Sequence, residues 1–421
     1  MASEIGGFAA PGFEPVAAEF ERNFTHRGDV GAAFAAVRDG ELVVDLWGGL
    51  RDRASKTPWE RDTLQLIFSG TKGLLAICLL LLVECDELEL EAPVARYWPE
   101  FDKPEIRVRD VVAHTARLPG IERPADFQDV LDDQRMAEAL EVQQPTEDPR
   151  GRFCYHALTH GWLCGELVRG ITGGSLGRFF ANEVAAPLEL ELWIGLLLEH
   201  QPRISTLELA DTWPVSPHLH AETLANDELL RSIWGNPPVF ARERFPWNDP
   251  SFHAAEIPAI GAIGTARSIA RLYGSLDRLL DRTMIELATT TLSHGYDEAH
   301  GETRRFGVGF ELQTERRSLG PPPDAFGHGG AGGSIHGYWP SQRIGFSHAM
   351  NLMRDDETDD ARPTLLRALH SSLRWLRCAW SLEPRTWPRR GTLGGCSIGS
   401  MTLAAAHSTS PTSTATAKPR Q

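Results

Sequence analysis

Lysine is scarce in this sequence: only Lys56, Lys72, Lys103 and Lys418 occur. Acidic residues outnumber basic ones and the formal net charge is −15. No basic stripe exists that could neutralise phosphates, so a nucleic-acid partner is not expected. Long apolar runs are lacking too. The longest, Leu74–Val83, has ten residues, whereas a bilayer span needs about 20. The opening MASEIGGFAAPGFEPV has neither the positive start nor the apolar segment of a secretory signal, and a cytoplasmic protein without a membrane span is expected. The six cysteines form no CxxC pair, which points to reduced, mostly buried thiols and not to a disulfide framework or zinc site.

What is present is concentrated in Leu64–Glu84, LQLIFSGTKGLLAICLLLLVE. A short apolar run ends at Phe68, Ser69-Gly70-Thr71 forms a turn, and an almost wholly apolar helix follows that has to be buried. Ser69 and Lys72 stand three apart, on one helical face. A serine hydroxyl becomes a nucleophile when a base takes its proton, and a lysine desolvated by apolar neighbours can be that base. The helix N-terminus would favour an oxyanion. The plain alternative is a helix-capping Ser69 with Lys72 reaching solvent; against it, an unpaired charge in the most apolar helix is costly.

The rest of the chain has room for two lobes. Gly31–Gly49 reads as a β-hairpin turning at Asp39-Gly40, with an amphipathic helix over Pro15–Phe24 before it and a polar connection, Arg51–Asp62, after it. Glu87–Phe101 reads as packed loop, and Arg107–Leu118 as a short helix stopped by Pro119-Gly120. Residues up to about Pro258 are helical and loop-rich, with the clearest helix beginning near Leu158. Gly261–Leu280 is a glycine-rich turn and an amphipathic helix. Strands are expected at Phe306–Gln313, Phe326–Tyr338 and Ile344–Met353, the last two joined at Pro340-Ser341-Gln342, and a closing helix at Ala361–Leu376. From Gly391 onward the composition is small and polar, which predicts disorder over 391–421. The expected architecture is α/β of the α+β type: an antiparallel sheet flanked by helices, built from 1–107 and 259–380, with a helical lobe inserted at 108–258.

If Ser69 is a nucleophile, a second proton-transfer group and an oxyanion hole are needed. Tyr155, in GRFCYHALTHGWL, and the glycine-dense FGHGGAGGS, Phe326–Ser334, are the candidates. Taken singly, a tyrosine before a helix is a packing residue and the glycines mark a strand that another backbone approaches. Cys154 adjoins Tyr155 but has no visible base. Gly327–Gly332 matches GxGxxG, yet strand-like sequence follows where a helix is needed. Gly395–Gly399 matches GxSxG with no sheet before it. His218 and His220 have alternate spacing but no carboxylate or cysteine companion, so they read as surface-loop residues.

Together SGTKG, HTARLPG, YHALTHGWLCGELVRGITG, GAIGTARSIARLY and FGHGGAGGS, spanning about residue 10 to about residue 377, resemble the β-lactamase-fold esterases called family VIII carboxylesterases. These are relatives of class C β-lactamases and penicillin-binding proteins. The resemblance implies Ser69 as nucleophile, Lys72 as its base partner and Tyr155 as the proton-transfer phenol, whose phenolate needs a cationic neighbour such as Lys72. It places His328-Gly329-Gly330 where β-lactamases carry Lys-Thr-Gly, with the N–H groups of Ser69 and Ala331 as oxyanion hole. Two departures favour neutral esters over antibiotics: Ala157 stands where those enzymes have Asn, and His328 where they have Lys. The expected function is hydrolysis of small carboxylic esters through an acyl-Ser69 intermediate, without metal or cofactor. The alternatives are β-lactam or D-amino-acid peptide hydrolysis on the same site, or a catalytically silent binding relative. The sequence sets no oligomeric state.

Overall fold

The apolar run forms the middle of a helix, Thr71–Glu84, in a computed structural model that describes residues 5–211, 213, 217–316, 318–354 and 361–379. Every residue from Thr71 to Leu82 is buried, as expected for a helix that is apolar on all sides. It packs against the helices Thr159–Thr172, Leu176–Phe180 and Arg282–Thr289 and against the strand Phe326–Gly329. Close approach is needed at Gly73, where a Cβ would lie 2.0 Å from the Tyr273 hydroxyl.

The largest sheet has ten antiparallel strands. The expected hairpin is there as Gly31–Arg38 and Glu41–Asp52, with Asp39 at φ +52° and Gly40 at φ +79°, the left-handed pair that a type I′ turn requires. Strand Ile344–Met350 lies antiparallel to Gly31–Arg38, pairing Ile344 with Arg38 and Met350 with Ala32. The sheet then continues through Ile335–Trp339, Phe326–Gly329, Glu311–Leu312, Glu302–Phe306 and Ser293–Asp297. The expected antiparallel pairing across Pro340-Ser341-Gln342 is present. Helix Glu14–His26 buries Val16 and Phe20 and packs on the closing helix Ala361–Ala379, which buries Leu365, Leu366, Leu369 and Leu373. Both keep an apolar stripe at helical spacing.

Several expectations need correcting. The edge strand Ile5–Ala9 was not visible in sequence, because two of its five residues are glycines. Gly6 lies against the Trp47 ring, where a Cβ would meet it at 2.6 Å. The polar connection after the hairpin is partly strand, with Thr57–Pro58 folding back on Leu50–Asp52. Phe306–Gln313 is not one strand but the junction of two, broken at Gly309 with φ +72°. Phe326–Tyr338 is likewise two strands around Gly332 and Gly333, at φ +86° and +118°. The helix at Arg107–Leu118 is only Val108–Val112. His114 and Arg117 are left-handed, at φ +61° and +60°, and Pro119 holds its predecessor out of helical geometry.

The glycine-rich turn near Gly261 is a strand, Ala262–Gly264, flanked by Gln65–Leu66 and Leu192–Ile194. The helix that follows it, Ala266–Tyr273, is capped by Thr265. Cys78, Cys154 and Cys164 are buried free thiols. Cys85, half-buried at the end of the apolar helix, is disulfide-bonded, which departs from the expectation of thiols throughout. The segment 391–421, with its GxSxG match, lies outside the described residues. Among those described, no helix is long and apolar enough to cross a membrane.

Candidate active site

Ser69 sits in a 3₁₀ turn, Phe68–Gly70, that leads straight into the apolar helix. Phe68 is left-handed at φ +46°, a conformation that costs about 1–3 kcal/mol for a bulky residue. The surroundings hold it there. Its ring packs on Phe240 and Trp247, at centroid distances of 5.7 and 5.4 Å. The Thr71 hydroxyl donates to the Phe68 carbonyl at 2.6 Å and accepts the Ala262 N–H at 2.9 Å. The turn thereby lifts Ser69, half-exposed, out of a buried neighbourhood.

Lys72 is fully buried. Its Nζ lies 3.3 Å from Ser69 Oγ, 2.7 Å from the Ala157 carbonyl and 3.3 Å from the Ala259 carbonyl. Burial first, and then the charge of Arg304, push its pKa well below the usual lysine range. The reading of Lys72 as a lysine reaching solvent is thus excluded.

Tyr155 stands in the loop before helix Thr159–Thr172 and is 5% exposed. Its backbone N–H donates to Asp297 Oδ2 at 2.8 Å. Lys72 Nζ lies 5.0 Å from its ring centroid. The ring packs between Phe306 and the imidazoles of His114, His300 and His328. Asp297 is the anchor of this wall. It also accepts from the Ala299 and His300 N–H groups and from His300 Nδ1 at 2.8 Å, while His300 Nε2 accepts the Trp234 indole N–H at 3.0 Å. Burial raises the Asp297 pKa, but its hydrogen bond and charge interaction with His300, and Arg304 nearby, outweigh that and hold it at about 2. Cys154, Asp297 and His300 are close enough to form a metal-binding group. Both Asp297 oxygens are nonetheless committed to hydrogen bonds, and burial pushes the Cys154 thiol up. The latter also speaks against a nucleophilic Cys154.

The glycine-dense strand completes the site. Gly330 presses on the Ser69 turn, and a Cβ there would lie 2.2 Å from the Ile67 carbonyl. His328 is buried; its Nδ1 donates to the Gly329 carbonyl at 2.6 Å. Burial lowers its pKa to about 4, against the opposing pull of Glu311, so it is neutral at neutral pH. After the strand comes a turn and another strand, not the helix of a dinucleotide site. Ser69, Tyr155, Ala157, His328, Gly329, Gly330 and Ala331 all line one cleft of about 120 Å³, and Lys72 lies beneath it. Every candidate from the sequence is therefore brought together.

The cleft also holds residues that the sequence did not single out. Arg304, Glu311, Trp234 and Phe240 line it. His218, read as a surface-loop residue, is half-buried there and packs on Trp234 and His300. The signal for Arg304 was alternation: Glu302, Arg304 and Phe306 are the buried positions of their strand, but two of the three are charged and alternate with polar residues, so the inward face does not announce itself.

Residues 20–370 match the Beta-lactamase family. The chain is 33% identical over 367 residues to the "Esterase/beta-lactamase LipL" of Mycobacterium tuberculosis, with 83% of each chain covered. Its fold is similar to the crystal structure of a family VIII carboxylesterase, with a TM-score of 0.79 at 32% identity, covering 88% of this chain and all of that one. It is also similar to a penicillin-binding protein homologue from Caulobacter crescentus, with a TM-score of 0.77 at 29% identity and the same coverage. D-amino acid amidase from Ochrobactrum anthropi shares the fold at 19% identity and a TM-score of 0.63, covering 88% of this chain and all of that one. With its fold, and with nearly its whole described length matched, the chain belongs to the β-lactamase family of serine hydrolases, among relatives that include esterases.

Proposed function

We propose that this protein hydrolyses small carboxylic esters by two-step acyl transfer through Ser69. The observation that carries the reading is how the hydrogen bonds of Lys72 are spent. Two of its three polar neighbours, the Ala157 and Ala259 carbonyls, can only accept. A neutral amine has two N–H groups for them, which leaves its lone pair facing Ser69 Oγ at 3.3 Å. Burial favours that neutral form. Lys72, with Tyr155 beside it, takes the Ser69 proton as the hydroxyl oxygen attacks the ester carbonyl. The carbonyl oxygen, now negative, is received by the N–H groups of Ser69 and Ala331. The proton passes to the departing alkoxide, and a water repeats the sequence to release the acid and restore Ser69.

Neutral His328 and the methyl of Ala157 put no cation and no side-chain amide at those two positions beside Ser69, which supports uncharged esters over β-lactams, while Arg304 and Arg354 keep fixed cations elsewhere in the cleft. The cleft lies between the sheet, from 1–107 and 259–380, and the helical segment 108–258, which we take as two lobes. The second reading, β-lactam hydrolysis on the same site, is favoured by the name of the Mycobacterium relative.

The test is turnover of p-nitrophenyl acetate and butyrate and of nitrocefin by wild type, Ser69→Ala and Tyr155→Phe, with intact mass after treatment with a phosphonate. Ester turnover lost in both variants and a single adduct on Ser69 are expected. Ester turnover that survives Ser69→Ala would remove Ser69 as nucleophile, and nitrocefin turnover exceeding ester turnover would favour the second reading.

A further inference from the structure

Arg304 is a charged residue buried in the site without a part in the steps above. It is 5% exposed, and its guanidinium carbon stands 4.2 Å from the centroid of the Tyr155 ring, nearer than Lys72 Nζ at 5.0 Å. Carboxylates hold it in place: it is ion-paired with Glu302, and it lies 3.7 Å from Asp297 and 3.9 Å from Glu311. A guanidinium does not lose its proton in a protein. A fixed positive charge at this position acts on both members of the pair that handles the Ser69 proton. It favours a negative Tyr155 oxygen and disfavours a positive Lys72 nitrogen, so both effects drive the pair toward its deprotonated state, whichever group carries the proton.

The other groups facing Tyr155 do not replace it. From the loop after Val108–Val112 comes His114; from the loop of Tyr155 itself come Cys154 and His156; from helix Thr159–Thr172 comes His160; from Phe326–Gly329 comes His328. Burial keeps all four imidazoles and the thiol uncharged at neutral pH. His300 is tied between Asp297 and Trp234. Asp297 is ionised but committed to hydrogen bonds, including the Tyr155 N–H. Arg354 also lines the cleft but is ion-paired with Asp29, and burial keeps the Cys164 thiol beside Lys72 uncharged. Against the pair stands the cation of Arg304, opposed by Glu302 on its own strand and by Glu311 on the next. Glu311 lies within reach of the Gly329 N–H, at 3.5 Å, on the strand that ends in the proposed oxyanion hole.

We propose that Arg304 is a positioning residue of the reaction, supplying from a neighbouring strand the fixed cation that His328 does not supply, and keeping the Lys72–Tyr155 pair ready to accept the Ser69 proton. Glu311 sets the opposing bias. The proposal rests on Ser69 acyl transfer.

The experiment is the pH dependence of kcat/KM for p-nitrophenyl acetate in wild type, Arg304→Gln, Arg304→Lys and Glu311→Gln, with circular dichroism as a folding check and phosphonate labelling of the wild type alongside. Removing the cation should move the acid limb of the profile up by about one pH unit or more, and removing the opposing carboxylate should move it down. Arg304→Lys should keep the limb near that of wild type. Turnover that falls in Arg304→Gln with its limb unmoved would make Arg304 structural only and overturn the proposal. Should Arg304→Gln fail to fold, Glu311→Gln decides, and an unmoved or raised limb there overturns it equally. A wild type that leaves Ser69 unlabelled would instead sink the acyl-Ser69 reading, which separates the two failures.

Discussion

Among the described residues two lysines are buried, Lys72 and Lys103, and their surroundings give them opposite properties. Lys103 is covered but lies near the surface. Its Nζ donates to the Leu140 and Glu141 carbonyls at 2.9 and 2.7 Å, closing the last turn of helix Asp133–Val142, and it stands 4.2 Å from the Phe101 ring centroid. Burial lowers its pKa, but three carboxylates, Glu105, Asp102 and Glu141, pull the other way. Around Lys72, burial comes first and the charge of Arg304 adds to it, while Cys164 and Glu311 pull the other way and rank behind both. A lysine at a helix C-terminus surrounded by acids is a cap. A lysine in an apolar helix, facing a serine and near an arginine, is the proposed base. Burial alone separates neither; the sign of the nearest charges does.

The sharpest way to break this contrast is to replace each lysine by methionine. Lys72→Met should cost ester turnover about three orders of magnitude, while Lys103→Met leaves kcat/KM near wild type; equal losses in the two variants would refute the distinction. Stability should respond in reverse. Lys103→Met strips the donor from two carbonyls and should cost about 1–3 kcal/mol in urea unfolding.

For Lys72 the signature lies in pH. Because its folded pKa is depressed, the unfolded chain binds more protons between that value and about 10.4, so wild-type stability gains from this residue as pH rises. The stability of Lys72→Met relative to wild type should therefore decline from pH 7 to pH 10, and a constant difference would mean that Lys72 is charged in the folded state. A further pH effect is expected at the acid end. His156 and His328 have pKa values lowered to about 4, and His336 and His348 to about 3, chiefly by burial. Unfolding midpoints should fall as pH drops from about 6.5 toward 4, and His328→Gln should flatten part of that slope.

The candidate site was largely legible in the sequence because its parts carry local signs. Ser69 and Lys72 are fixed by helical spacing, Tyr155 stands just before a strongly periodic helix, and a density of glycines marks a strand that crowds another backbone. Arg304, Asp297 and Glu311 were not legible. Each is a charged residue on or beside a short strand, where charge ordinarily means solvent, and what turns them inward is their partnership with one another across strands that sequence spacing does not pair. The same holds for the sheet. The Asp39-Gly40 hairpin could be read from two residues, whereas the break at Gly309 and the edge strand at Ile5–Ala9 depend on packing against Ala76 and Trp47.

The Ile344–Met350 strand is what joins the hairpin to the rest of the sheet, and Ser334 Oγ reaches the Ile67 carbonyl at 3.4 Å across 267 residues of chain. During synthesis from the N-terminus, the Ser69 turn and the apolar helix leave the ribosome long before the strands that enclose them. The nascent protein carries its most apolar segment before all of its packing partners exist: helices Thr159–Thr172 and Leu176–Phe180 can cover it first, and strand Phe326–Gly329, with Ala331 as the proposed oxyanion partner of Ser69, emerges much later. A stalled or truncated product is therefore expected to be inert and to depend on chaperones.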